Sequence, residues 1–159
     1  MRSLRVYLIA SVLDHTLIRN DRICGYLDKR IDIFKPQTIT PEGDHRQFPR
    51  LVYDRCVSEI RRSDMGLLVV PYGRDCSWEV GYYSNSNKPV VAYVENETEW
   101  LQDWMIKGGL DFAVTPEQST FKILRRDLML FDKTILLDSV NELSDKLIKI
   151  HERGKHGEK

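Results

Sequence analysis

The densest run of reactive side chains is Pro71-Tyr72-Gly73-Arg74-Asp75-Cys76-Ser77-Trp78-Glu79-Val80-Gly81, which directly follows a strongly apolar segment. Asp75 and Glu79 stand four apart, so a helix would carry both carboxylates on one face. Two readings fit that spacing. One is carboxylate chemistry; the other is capping, with Asp75 as N-cap and Glu79 favoured in the first turn by the helix dipole. Spacing alone favours capping. Ser77 and Cys76 make poor nucleophiles, since no G-x-S-x-G elbow surrounds them and none of His15, His45, His151 or His156 has an evident pairing with either. Neither a G-x-G-x-x-G dinucleotide fingerprint nor a Walker-type loop is present, and the histidines lack metal-ligand spacing.

The elements that must position these residues alternate regularly. Leu4–Ser11, Asp32–Lys35, Met65–Pro71, Val90–Val94, Phe112–Thr115 and Thr134–Leu137 are strand candidates. Helical patterns occupy the intervals: His15 to Lys29, Arg50–Arg62, Asp75–Ser84, Glu97–Lys107, Pro116 to about Leu130 and Val140–Glu152. Met65-Gly66-Leu67-Leu68-Val69-Val70 is continuously apolar, the mark of a parallel strand covered on both faces. A Pro- and Gly-punctuated loop, Pro36–Pro49, is long enough to serve a function. This alternation predicts a single-domain α/β fold, a doubly wound five-stranded parallel sheet of flavodoxin-like or Rossmann-like kind. Residues 1–153 form the domain and 154–159 a polar, frayed tail. Ligands of such sheets sit beyond the carboxyl ends of the strands. Ser11–Asp14, Pro71–Glu79 and Glu95–Met105 are therefore the segments to inspect.

Composition narrows the class of function. In 159 residues, 24 Lys plus Arg balance 24 Asp plus Glu, so the basic excess that nucleic-acid coats and membrane surfaces require is missing. No stretch approaches the ~20 apolar residues of a membrane span. Cys24, Cys56 and Cys76 form no CxxC and are odd in number, which argues against a disulfide framework and for a reducing cytoplasm.

Several short segments together resemble the nucleoside 2-deoxyribosyltransferase family, which includes nucleoside 5'-monophosphate N-glycosidases. They are Val6-Tyr7-Leu8-Ile9-Ala10-Ser11, Ser63-Asp64, Glu79-Val80-Gly81-Tyr82, Lys88-Pro89-Val90 and Trp104-Met105-Ile106-Lys107-Gly108. The resemblance covers about Val6 to Asp111 and favours chemistry over capping for Glu79. It implies a cofactor-free retaining transfer of 2-deoxyribose between nucleobases, with a deoxynucleoside and a free base as partners. Glu79 would be the nucleophile, Tyr7 would orient it, and Asp64 would handle the base and its departing proton. The same resemblance assigns substrate contacts to Asp75, Trp78, Asp103 and Met105. Many members carry a sugar-binding Asp six residues before the nucleophile, where this chain has Gly73; Asp75 is the nearest replacement. Asp103 favours a nucleoside over its 5'-monophosphate, because a carboxylate repels a phosphate. Trp100, Leu101, Trp104 and Met105 form an apolar cluster, from which a homo-oligomer is expected, and the resemblance implies active sites completed across subunits. Two alternatives stand beside this reading: an N-glycosidase of nucleoside 5'-monophosphates, and a non-catalytic nucleotide-binding domain.

Overall fold

A computed structural model describes residues 2–127 and 133–155. Among them, six parallel strands form one sheet in the order β2-β1-β3-β4-β5-β6. The strands are β1 (Leu4–Ile9), β2 (Ile31–Phe34), β3 (Met65–Val69), β4 (Val90–Tyr93), β5 (Phe112–Thr115) and β6 (Thr134–Leu136). The helices are α1 (Asp14–Cys24), α2 (Phe48–Arg62), α3 (Asp75–Asn85), α4 (Trp104–Gly109), α5 (Gln118–Asp127) and α6 (Leu143–Lys155). The flavodoxin-like arrangement is as expected, but the sheet has six strands and not five. The short β6 pairs with β5 from Ala113↔Thr134 to Thr115↔Leu136 and extends the edge.

Every residue of β3 and β4 is buried, as their unbroken apolar runs require when helices cover both faces. One core layer holds Tyr7, Ile9, Leu68, Ala92 and Ala113 against Ile60 of α2, Tyr83 of α3, Ile106 of α4 and Leu124 of α5. The other holds Val6, Leu8, Leu67 and Val91 against Ile23 of α1 and Leu143, Leu147 and Ile150 of α6. Gly66 permits a close approach in the first layer, since a Cβ there would lie 2.7 Å from Ile9 Cδ1 and 3.2 Å from the Tyr83 ring. The chain leaves β1 toward β2 and then crosses to β3, so the order reverses between β1 and β3. That is the switch point of the sheet.

Several boundaries differ from those read in the sequence. Helix α1 stops at Cys24, where the N–H of Gly25 returns to the carbonyls of Asp21 and Ile23. The expected helix Glu97–Lys107 is two pieces, a 3₁₀ turn over Glu99–Gln102 and then α4, because Asp103 takes an extended conformation and caps the second piece. Val140–Glu142 is likewise a 3₁₀ turn ahead of α6. Gly154 and Lys155, expected in the tail, continue α6, while 156–159 lie outside the described residues. The segment 128–132, where α5 was expected to end, lies outside them as well. No helix among the described residues is long and apolar enough to cross a membrane.

Candidate active site

Helix α3 buries Cys76, Glu79, Val80 and Tyr83. That spacing of three, four and seven is the inward stripe of a helix on a sheet, and Glu79 occupies a place in it ordinarily held by an apolar residue. Tyr7 lies on interior strand β1, opposite Gly66 on one side and Phe34 on the other, and is fully buried. Its ring stacks on Phe34 at 5.6 Å and meets Tyr83 at 6.3 Å. Two unrelated stretches of sequence converge here: the Tyr7 hydroxyl donates to Glu79 Oε1 over 2.5 Å.

A buried carboxylate must be paired or surrender its charge. Glu79 stands between those outcomes. Burial pushes its carboxyl up to about 7, the Tyr7 hydrogen bond pulls it back down, and the negative charge of Asp75 adds to the rise. The Tyr7 phenol is driven far above its ordinary range, by burial first and by the charge of Glu79 second. It therefore stays a proton donor at every pH the protein meets. A carboxyl that titrates near neutrality, held by one fixed donor, suits nucleophilic or acid–base work.

The remaining candidates fall into three groups. Asp75 and Trp78 are exposed around the same turns of α3. Arg74, not Asp75, occupies the capping position, and no side chain caps the helix there. Gly73 packs near Ser11, bringing the loops after β3 and β1 together at the switch point; a Cβ on Gly73 would lie 3.7 Å from Ser11 Cα. Asp64 is placed elsewhere, at the N-terminal end of β3. Its Oδ2 accepts the backbone N–H of Arg5 at 2.9 Å, and Oδ1 faces Arg2 at 3.9 Å. Asp103 caps α4 by accepting from the Ile106 N–H at 3.3 Å, and it also accepts from the Tyr72 hydroxyl at 3.1 Å. The tryptophan cluster divides: Trp100 and Leu101 enter the core, while Trp104 and Met105 remain 83% and 80% exposed.

Cys56, on α2, belongs to the site although the sequence offered it only as one of three cysteines without a CxxC motif. Its thiol lies within electrostatic reach of both the Tyr7 hydroxyl and Glu79. Burial pushes its thiol up. A cysteine in an amphipathic helix gives no signal of such a contact. Cys76, on the inward face of α3, has its thiol pushed up to about 12 by burial and the Glu79 charge, which leaves it a poor nucleophile.

No family model matches the sequence, and no curated protein matches it either. Among solved structures, the chain is similar to a 2-deoxyribosyltransferase from the psychrotolerant bacterium Bacillus psychrosaccharolyticus. The identity is 17% and the TM-score 0.52, over 69% of this chain and 84% of that one. It is also similar to a conserved protein from Enterococcus faecalis V583, with 14% identity and a TM-score of 0.54 over 92% and 98% of the two chains. At these identities the likeness is one of fold alone: a flavodoxin-like parallel sheet similar to that of a 2-deoxyribosyltransferase.

Proposed function

We propose that the protein is an enzyme that transfers 2-deoxyribose from one nucleobase to another through a covalent intermediate on Glu79. The observation that carries this reading is the Tyr7–Glu79 pair, a buried carboxyl near neutrality gripped by a single phenol. In the first step a carboxylate oxygen of Glu79 bonds to C1' as the C1'–N bond breaks, and the base leaves with the electron pair and takes up a proton. In the second step a nitrogen of the incoming base attacks C1' and gives up its proton to solvent, the ester bond breaks and the carboxylate is restored. Two displacements retain the anomeric configuration, as in retaining glycosidases. Tyr7 holds one carboxylate oxygen so that the other can face the sugar. Asp75, exposed one turn earlier on α3, is the nearest group for a sugar hydroxyl. Trp104 and Met105 are the residues by which a second subunit would complete the site.

The test is incubation of the protein with each of the four deoxynucleosides plus a free acceptor base, followed by chromatography and mass spectrometry. Exchange of the base, together with a deoxyribosyl adduct on the peptide holding Glu79, is the expected result. Glu79→Ala should reduce exchange by several orders of magnitude. Near-normal turnover by that variant would refute the mechanism. Release of free base from 5'-monophosphates without exchange would instead make the protein an N-glycosidase.

A further inference from the structure

Across the outer seam of α2 and α3 three rings stand in a row. Tyr53 lies 5.5 Å from Trp78, and Trp78 lies 5.3 Å from Tyr82, each pair tilted. Tyr53 and Trp78 are about half exposed. A groove of about 570 Å³ runs along α2 beside them, lined among others by Arg50, Tyr53, Asp54, Ser58, Arg61 and Arg62. That volume falls within the roughly 300–1,000 Å³ of ordinary small-molecule sites.

Its charge is distinctive in a chain of zero net charge. Three arginines face one aspartate, an excess of two positive charges. Arg50 Nε donates to Asp54 at 2.9 Å, and its guanidinium lies 5.8 Å from the centre of the Tyr53 ring. Arg61 Nε donates to the Tyr82 hydroxyl at 2.9 Å. In both, the bond made through Nε fixes the guanidinium plane and leaves its two terminal nitrogens for a further partner. Arg62 faces Glu59 at 3.7 Å, but Arg5 at 2.9 Å and Arg55 at 3.1 Å share that buried carboxylate, so the basic excess survives.

The geometry points to a second binding site in this groove, for a nucleoside monophosphate whose base stacks on Tyr53 and Trp78 and whose phosphate bridges Arg50 and Arg61. Guanidinium forks match phosphate oxygens in pairs, and aromatic faces accept any base. A second copy of the chain is the poorer occupant, because a twofold contact would set this positive surface against itself. The site is separate from the buried carboxyl: Trp78 and Glu79 are adjacent in sequence but lie on different faces of α3, one exposed and the other directed at Tyr7.

Calorimetric titration of the full chain with adenosine 5'-monophosphate, adenosine and inorganic phosphate tests this. The monophosphate is expected to bind, with adenosine and phosphate each at least tenfold weaker, and with affinity falling as salt rises. Arg50→Ala combined with Arg61→Ala, both exposed positions, should weaken binding at least tenfold, as should Tyr53→Ser; Glu79→Gln should leave it unchanged. Equal binding of phosphate and the monophosphate, no effect of the arginine changes, loss of binding in Glu79→Gln, or no binding at all would each overturn the proposal. So would a dimer in sedimentation that Trp78→Ala dissociates while the monophosphate fails to bind the wild type.

Discussion

Replacing Glu79 with Gln should alter how stability depends on pH. In an unfolded chain the Glu79 carboxyl ionises near its ordinary 4.5, whereas in the folded protein it holds its proton to about 7. Between those values the native state binds the extra proton, so stability falls as pH rises through the window and levels off above it. At about 1.36 kcal/mol per pH unit the loss comes to roughly 3 kcal/mol, a large part of the ~5–15 kcal/mol that holds an ordinary domain together. Below about 4.5 both states are protonated and the loss is absent. Gln keeps the shape and can accept the Tyr7 hydrogen bond, but it does not titrate. Its buried amide N–H₂ adds a pH-independent cost, so the quantity to compare is the change with pH and not stability at one pH. Urea unfolding of wild type and Glu79→Gln at pH 4, 5, 6, 7 and 8 gives that comparison. The variant should gain on the wild type by roughly 3 kcal/mol between pH 4 and 8, with most of the gain complete by pH 7. Parallel curves would refute the placement of an ionisable Glu79 in the core.

Three further outcomes follow from the same contacts. Tyr7→Phe removes the hydrogen bond that favours the ionised carboxyl, so the acid limb of the kcat/KM profile, expected near pH 7 in the wild type, should move to higher pH. An unmoved limb would show that Glu79 does not depend on Tyr7. Gly109→Ala would set a Cβ 2.5 Å from Val80 Cγ1 where α4 meets α3, and should lower stability by about 1–3 kcal/mol in thermal or urea unfolding. Trp104→Ser should reduce self-association in sedimentation with no loss of thermal stability, since that ring is 83% exposed in the single chain.

How much of this was legible in the sequence varies with the physics involved. The apolar runs at Met65–Val69 and Val90–Tyr93 revealed their strands because burial on both faces leaves no room for polar residues. Thr134–Leu136 showed its local β-character, but whether an edge strand joins a sheet is decided by tertiary pairing, and the strand count was one short. The break at Asp103 was hidden because each half of Glu97–Lys107 is locally compatible with one helix. Resemblance brought Tyr7 and Glu79 together, and so did the fold, across 72 residues of sequence. Resemblance also put Asp64 beside them, whereas its carboxylate is engaged with Arg5 at the start of β3. Cys56 could not be found at all, because a lone thiol in a helical segment gives no sign of its neighbour across the fold.

Tyr7 sits on a strand bonded on both sides, to β2 and to β3, and its ring is sealed in the larger side-chain cluster. Amide groups in such positions exchange with solvent only when the whole domain opens, whereas exposed loops open at almost no free-energy cost. The phenol that grips Glu79 therefore belongs to the least yielding part of the molecule and has no freedom to adjust to different ligands. The segment between β2 and α2, whose residues are half-buried or exposed, lies outside that sealed cluster and is freer to adjust. Deuterium exchange should then divide the protein in two. Protection would be highest at the amides of β1 and β3 and lowest between Thr38 and Gln47, so that the rigid element and the accommodating one lie side by side at a single site.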